Sequence, residues 1–483
     1  MAASLMGRLC KFAIVCHRWL GLSCCPLFVM WLTSGIVMMY SGYPSVSPEE
    51  HFAKAAALTP AQIHLSPVAA FSRLAGDASE QVRLTMLDGR PVYRFLRKGT
   101  EAIVRADDGE RLLRIPGEMA LRIAATWTGQ AASAAVFEGS LKDPDQWTVP
   151  GEFRALRPLF KYSWADGEEV YVSAVTGEVV QHTTRRSRLA AYFGAIPHWL
   201  YFTPLRKNER LWNTVVIWTS GIGTMASLLG LIAGVGMYSA SKRIPYIGCK
   251  RWHVMLGLLF GAATCTWVFS GMRSMQPTFG IEGSGVRIAN ALRGGPLALQ
   301  SFQAKPPGAA LQQVSETSVK ELELVFVGGE AHYLARESPG RSRIVPVQGN
   351  TAEEFDSARI LRLIADGVRP ATMLQTRLVT EYEAYYLDRR HQHPLPALFV
   401  GLSGPDSVMY YIDLKTARIV ESYDGRARWN RWLYHGLHSL DLPWLYRHRP
   451  VWDVVVLVLL LGGACLSLTS VIIGVQLLRR KLG

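Results

Sequence analysis

Four long stretches of this chain carry no charged side chain: Leu20–Tyr40, Trp212–Ser241, Trp252–Met272 and Val454–Leu478. At a rise of 1.5 Å per residue, each is long enough to cross a hydrocarbon layer of roughly 30 Å. The reading is therefore four transmembrane helices. The first is longer than the apolar core of a signal peptide and ends without a small-residue cleavage site, so it is read as a retained helix.

The net charge of +14 could suggest a nucleic-acid partner, but its distribution excludes one. Arg8, Lys11, Arg18, Lys242, Arg243, Lys250, Arg251, Arg479, Arg480 and Lys481 lie at the two ends and between the second and third helices, where there is no Asp or Glu. The other basic residues and all 38 acidic ones lie between helices one and two and between three and four. Lys and Arg concentrate on cytoplasmic loops, so both termini are expected inside and the two long segments outside. The expected layout is helix 10–40, exported segment 41–210, helix 211–241, cytoplasmic loop 242–251, helix 252–272, exported segment 273–450 and helix 451–478. All seven cysteines fall in the helices or their cytoplasmic ends, so the exported folds need no disulfides.

The chain also repeats itself. His17 and His253 are each followed by Gly after 4 residues, Trp after 14 and Ser-Gly after 17 and 18. His198 precedes Trp212-Asn213 by 14 residues, and His438 precedes Trp452-Asp453 by the same 14. The offsets are 236 and 240, consistent with one ancestral helix–segment–helix unit used twice. Both copies start and end inside, so a pseudo-twofold along the membrane normal would relate them. The expected fold is a four-helix bundle carrying two periplasmic α+β segments. Histidines at matched positions suggest ligand pairs on that axis, hence metal or haem chemistry. In the segments, Val170–Val180 and Tyr410–Val420 each read as two strands about a turn, with Gly177 of the first copy replaced by Ala417. Ala120–Trp127 and Ser357–Ala365 read as helices, and Gly283–Pro307 as a connector. Gly221, Gly223, Gly230, Gly234, Gly236, Gly462 and Gly463 are read as helix-packing residues.

The motif His17-Arg-Trp-Leu-Gly, the strand–Thr-Gly–strand unit at 170–180, and the block from Arg428 through Trp432, Tyr434, His435 and His438 to Trp452-Asp453 resemble the PepSY-associated transmembrane family. The resemblance covers nearly the whole chain. It implies an inner-membrane protein related to di-haem reductases of ferric siderophores, with two haem b groups. His17 and His253 would then bind an inner haem, and His198 and His438 an outer one. His435, one turn before His438, is the substitute ligand or a hydrogen-bonding neighbour. First-copy positions matching Trp432 and His435 are Tyr192 and Ala195, so the copies are not equivalent.

Two imidazoles make haem iron six-coordinate, which suits electron transfer. Trp31 and Trp267 fit an aromatic belt or packing on the outer haem. Met272, Met275 and the His391-Gln-His393 run are read as structural. Arg206, Lys207 and Arg210, with Arg447 and Arg449, suggest a basic rim for an anionic complex. No dinucleotide fingerprint is present, so electrons would come from a quinol or a separate reductase, and the lack of a nucleophile elbow or HExxH motif argues against a protease. No further catalytic residue is assigned, because trans-membrane reduction requires no general base. The resemblance thus implies reduction of ferric iron, siderophore-bound, in the periplasm. The alternative is a non-enzymatic PepSY-type module that binds or regulates a partner in iron uptake.

Overall fold

The structure is a computed structural model that describes residues 2–74, 79–241, 243–275, 284–389, 392–404 and 407–482. The chain divides into a helical unit (Met1–Tyr43, Arg186–Thr278 and Arg428–Gly483) and a sheet unit (Pro44–Arg185 and Phe279–Ala427).

Four long helices dominate the helical unit: α1 (Ala2–Met38), α2 (Glu209–Ser241), α3 (Gly248–Arg273) and α4 (Val451–Leu482). All four are long and apolar enough to cross a membrane, as their uncharged sequences require. Both α1 and α3 pack against α2 and α4, which leaves α1 and α3 on the diagonal of a square bundle. Small residues allow the close approach. The Gly223 position lies against Phe28 and Val268, and Gly462 lies against Phe260.

In the sheet unit the first half of the chain supplies β1 (Gln81–Leu87), β2 (Arg90–Arg97), β3 (Thr100–Arg105), β4 (Arg111–Leu112), β5 (Val136–Leu141), β6 (Leu159–Ser163), β7 (Glu169–Ser173) and β8 (Val179–Thr183). The second half supplies β9 (Glu321–Val327), β10 (Glu330–Ser338), β11 (Arg341–Pro346), β12 (Met373–Val379), β13 (Ala397–Leu402), β14 (Met409–Asp413) and β15 (Arg418–Tyr423). The expected hairpins at 170–180 and 410–420 are β7–β8 and β14–β15, and the two expected helices are Gly117–Thr128 and Ser357–Gly367.

Strands from the two segments come together in one sheet. Antiparallel pairing of β1 with β9 joins them into one seven-stranded sheet of order β11-β10-β9-β1-β2-β3-β4. Each strand would otherwise be an exposed edge, and pairing satisfies both. In the register, Arg83 lies opposite Glu323, with Val82 opposite Leu324 and Leu84 opposite Leu322. An offset of 240 carries Arg83 onto Glu323, so this pair marks the centre of the joined sheet. Asp88-Gly89 and Gly328-Gly329, at the same offset, turn β1 into β2 and β9 into β10 with positive φ, as tight hairpin turns demand.

One face of this sheet buries Val82, Leu84, Tyr93, Leu322, Leu324 and Tyr333 in a common core. On the other face, Leu87, Val92 and Ile103 pack under helix Gly117–Thr128 and the β5–β8 sheet. At the far end Val325, Val327 and Leu334 pack under helix Ser357–Gly367 and the β12–β15 sheet. Between the two modules runs a ladder of alternating charge. Arg94 and Arg83 both bind Glu101, at 2.8 and 2.9 Å, and Arg83 reaches Glu321 at 3.3 Å. Arg336 bridges Glu321 and Glu323 at 3.4 and 3.2 Å, and Arg418 closes on Glu323 at 2.5 Å.

The stretch read as a connector is more ordered than its glycines and prolines suggested. Ser284–Arg293 is a helix, because Ile288 and Leu292 fall on one face and are buried; Gly283 lies outside the described residues.

Candidate functional site

His17 on α1 and His253 on α3 project toward one another across the bundle diagonal. Their ring centres lie 6.0 Å apart with planes inclined by 31°. Two imidazole–metal bonds of about 2 Å each, with the half-width of both rings added, call for a separation of roughly 6 Å. The pair is spaced for one metal atom.

Hydrogen bonds set which nitrogen of each ring keeps its lone pair free of the helices. His17 Nδ1 lies 2.8 Å from the Ala226 carbonyl on α2. A carbonyl only accepts, so Nδ1 carries the proton and Nε2 the lone pair. His253 Nδ1 lies 3.1 Å from Thr469 Oγ1 and 3.3 Å from Ser470 Oγ. Both hydroxyl protons go to the Leu466 carbonyl, so the oxygens accept from Nδ1 and the tautomer is the same.

A cavity of about 730 Å³ surrounds this pair, within the range that houses a cofactor-sized ligand. Apolar Leu22, Phe28, Leu231 and Leu258 line it, together with Gly21, Gly230 and Gly257. Gly230 is decisive. A Cβ there would stand 2.5 Å from His17 Cε1, so the backbone of α2 forms the seat of the ring. The sequence reading had assigned this glycine to helix packing. The available signal was its partner at offset 240, Ser470, whose hydroxyl seats His253.

The second pair is built from the other repeated motif. His198 lies on a short helix, Ala195–Trp199, and His438 on Leu437–Ser439 after a π-helical turn, Arg431–Gly436. Their ring centres are also 6.0 Å apart, at 66°. His198 Nδ1 lies 3.0 Å from the Trp31 carbonyl and 3.2 Å from Ser34 Oγ. His438 Nδ1 lies 3.3 Å from the Trp267 carbonyl and 3.0 Å from Ser270 Oγ. Gly35 and Gly271 lie beside the rings, where added Cβ atoms would be 3.5 and 3.8 Å from Cε1 of His198 and His438. The Trp-x-x-Ser-Gly motif therefore acts through its backbone carbonyl and its serine as a cradle for the second histidine pair. Burial pushes the His198 imidazole down to about 4, although its hydrogen bond to Trp31 opposes this, so the ring is neutral near pH 7.

The tryptophans fourteen residues on hold these short helices in place. Trp212 donates its indole N–H to the Trp199 carbonyl at 2.8 Å, and Trp452 donates to the Ser439 and Leu440 carbonyls at 3.2 Å. Both helices end on a left-handed leucine, Leu200 and Leu440, with φ of 53° and 49°.

His438, not His435, is the partner of His198. The His435 ring lies 4.7 Å from the Tyr434 ring, tilted by 55°, and its Nδ1 lies 3.9 Å from Asp441. Tyr434 in turn lies 5.4 Å from the His438 ring. Arg206 departs from the expected basic rim. It is buried, with its guanidinium 4.5 Å over Trp212 and 5.2 Å over Tyr201, because stacking on aromatic faces accommodates a guanidinium that water does not reach. Arg449 stacks similarly on Trp452 and Tyr446, at 4.9 and 5.0 Å. His391 lies outside the described residues, and His393 packs 5.2 Å from Tyr386.

Among the described residues no group of three or more His, Cys, Asp or Glu is gathered around a bare ion. A haem brings its own equatorial donors and needs only two axial ligands. The residues here fit it: imidazoles at the right spacing with Nδ1 engaged by neighbouring carbonyls and hydroxyls, and, for His17 and His253, a cavity lined by apolar side chains and glycines.

The fold and these residues define a membrane-type four-helix bundle holding two matched histidine pairs. No protein-family model matches the chain, and no curated protein matches it.

Proposed function

We propose that this chain is a di-haem b reductase of a bacterial inner membrane, similar to PepSY-associated transmembrane proteins. It would carry electrons across the membrane to ferric iron held in a siderophore or related chelate in the periplasm. The observation that carries this reading is the pair of pairs: two facing histidine couples, each with ring centres 6.0 Å apart. Along α1 they are separated by the distance from His17 to Ser34, about 25 Å at 1.5 Å per residue, so they lie near opposite ends of an apolar span.

Bound between the imidazoles, haem would supply reversible one-electron carriage. The protein's part is to hold His17, His253, His198 and His438 as neutral ligands through Nε2, with the carbonyls and hydroxyls of neighbouring helices fixing each ring. Apolar Leu22, Phe28, Leu231 and Leu258 wall the space beside His17 and His253. The charge distribution supports N-in, C-in topology, with the sheet unit on the periplasmic side and the electron donor, a quinol or separate reductase, at or below the inner face. A duplicated ancestral unit accounts for the recurrence of both ligand cradles at matched offsets.

Purified protein should show a low-spin Soret band. After reduction by dithionite, it should be reoxidised by ferric siderophores, releasing Fe(II) that a ferrous chelator traps. Reoxidation by oxygen or quinone alone, with no ferric chelate effective, would refute the assignment.

A further inference from the structure

We propose that the basic end of the cavity around His17 and His253 is a carboxylate-binding rim, in which Arg18, Lys250 and Arg480 hold the two propionates of the haem assigned above. The proposal rests on that haem reading and adds what orients the group.

All three cations line the same cavity as the two histidines. Arg18 follows His17 directly, Lys250 lies about one helical turn before His253, and Arg480 lies near the end of α4. They therefore gather where α1 and α3 begin their apolar runs and α4 ends its own. No acidic side chain is near them in sequence: there is no Asp or Glu before Glu49, between Glu209 and Glu282, or after Asp453. The guanidinium of Arg18 lies 5.5 Å from the Trp19 ring, an aromatic rather than an anionic neighbour. Three cations beside an apolar cavity favour an amphiphile with an apolar body and an anionic edge. Haem has that form, with both carboxylates on one edge of a flat apolar ring. A phospholipid phosphate shares the anionic chemistry, but it offers nothing to lie between two imidazoles spaced for one metal.

The test uses the full chain carrying His198→Ala and His438→Ala, so that only the His17–His253 pair remains. Apo-protein is titrated with haem and with its dimethyl ester, which lacks free carboxylates, and binding is followed by the six-coordinate Soret spectrum. Haem should bind at least about tenfold more tightly than the ester, the scale of one charge-assisted hydrogen bond. Combining Arg18→Gln, Lys250→Gln and Arg480→Gln should abolish the preference, while Arg18→Lys with Arg480→Lys should retain it. Equal binding of acid and ester with an intact rim overturns the proposal and leaves the haem reading standing. Displacement of haem by excess phosphatidylglycerol but not phosphatidylcholine would assign the rim to lipid headgroups and also overturns it. If neither porphyrin gives a six-coordinate spectrum, the haem reading itself falls.

Discussion

Ser270 Oγ lies 3.0 Å from His438 Nδ1 and sends its own proton to the Trp267 carbonyl, also at 3.0 Å. The serine thus accepts from the imidazole and fixes both ring orientation and tautomer. Groups at this remove from a metal are worth about 10–100-fold in its affinity. Ser270→Ala should weaken binding at the His198–His438 pair by that order, measured as haem loss to an apo-globin acceptor. Ser34→Ala should cost less, because His198 keeps a shorter carbonyl contact, 3.0 Å against 3.3 Å for His438.

The four paired histidines should separate into two independent couples. His17→Ala or His253→Ala is expected to remove one haem equivalent, and His198→Ala or His438→Ala the other. His435→Ala should keep both, since its ring lies against Tyr434 while His438 is the ring paired with His198. Haem quantitation of the five variants checks this; loss of a haem in His435→Ala would show that the ligand lies one turn earlier.

Gly230→Ala should displace His17 and empty that pair, because the new methyl would stand 2.5 Å from Cε1. Gly221→Ala on the same helix is a matched control outside that cavity: its Cβ would meet Met272 Sδ at an ordinary 3.6 Å. An alanine in place of a helix-interior glycine ordinarily gains about 0.5–1 kcal/mol. Gly221→Ala should therefore keep full haem content with unchanged or raised thermal stability.

The β7–β8 and β14–β15 turns carry a left-handed residue at the same repeat position, Gly177 with φ of 71° and Ala417 with φ of 55°. Gly177→Ala should cost about 2 kcal/mol, combining backbone strain with crowding of Leu87 and Ile115, which a Cβ would meet at 2.9 and 3.0 Å. Ala417→Gly should change stability by less than about 1 kcal/mol, since relief of strain is offset by loss of a buried methyl. Thermal unfolding of the two variants tests the contrast.

The charge ladder makes the sheet unit acid-sensitive. Burial alone would raise the Glu323 carboxyl, but Arg418 and Arg336 outweigh it and hold the group below its ordinary value. Glu178 is depressed in the same way by Arg94 and Arg83. A carboxyl depressed in the folded state adds stability that is present above its unfolded pKa of 4.5 and is lost as pH falls through the folded value. The ladder's contribution to the unfolding midpoint should therefore be flat near neutrality and be lost below about pH 4.5. Glu323→Gln should unfold at lower denaturant at pH 7, by about 3 kcal/mol, and show a shallower acid limb.

The sequence by itself determined the four helices, because an uncharged run long enough to span a bilayer leaves few alternatives. It also determined the spacing of the histidines, the hairpins at 170–180 and 410–420, and the helices near Ala120 and Ser357, all of which are local patterns. It could not show that β1 pairs with β9, since register between strands some 240 residues apart is fixed by side-chain packing that only the assembled sheet brings together. Nor could it tell His435 from His438: the two are one turn apart, and only the π-helical turn at Arg431–Gly436 and the seat at Trp267 and Ser270 decide which ring faces His198. Gly230 looked like any packing glycine until α2 was placed against α1 and the missing Cβ became room for His17. Arg206 looked like surface charge until Trp212 and Tyr201 closed around it. In each case the residue's identity was legible in the chain, but its neighbours were not, because they come from helices and strands remote in sequence that meet only when apolar faces are buried together.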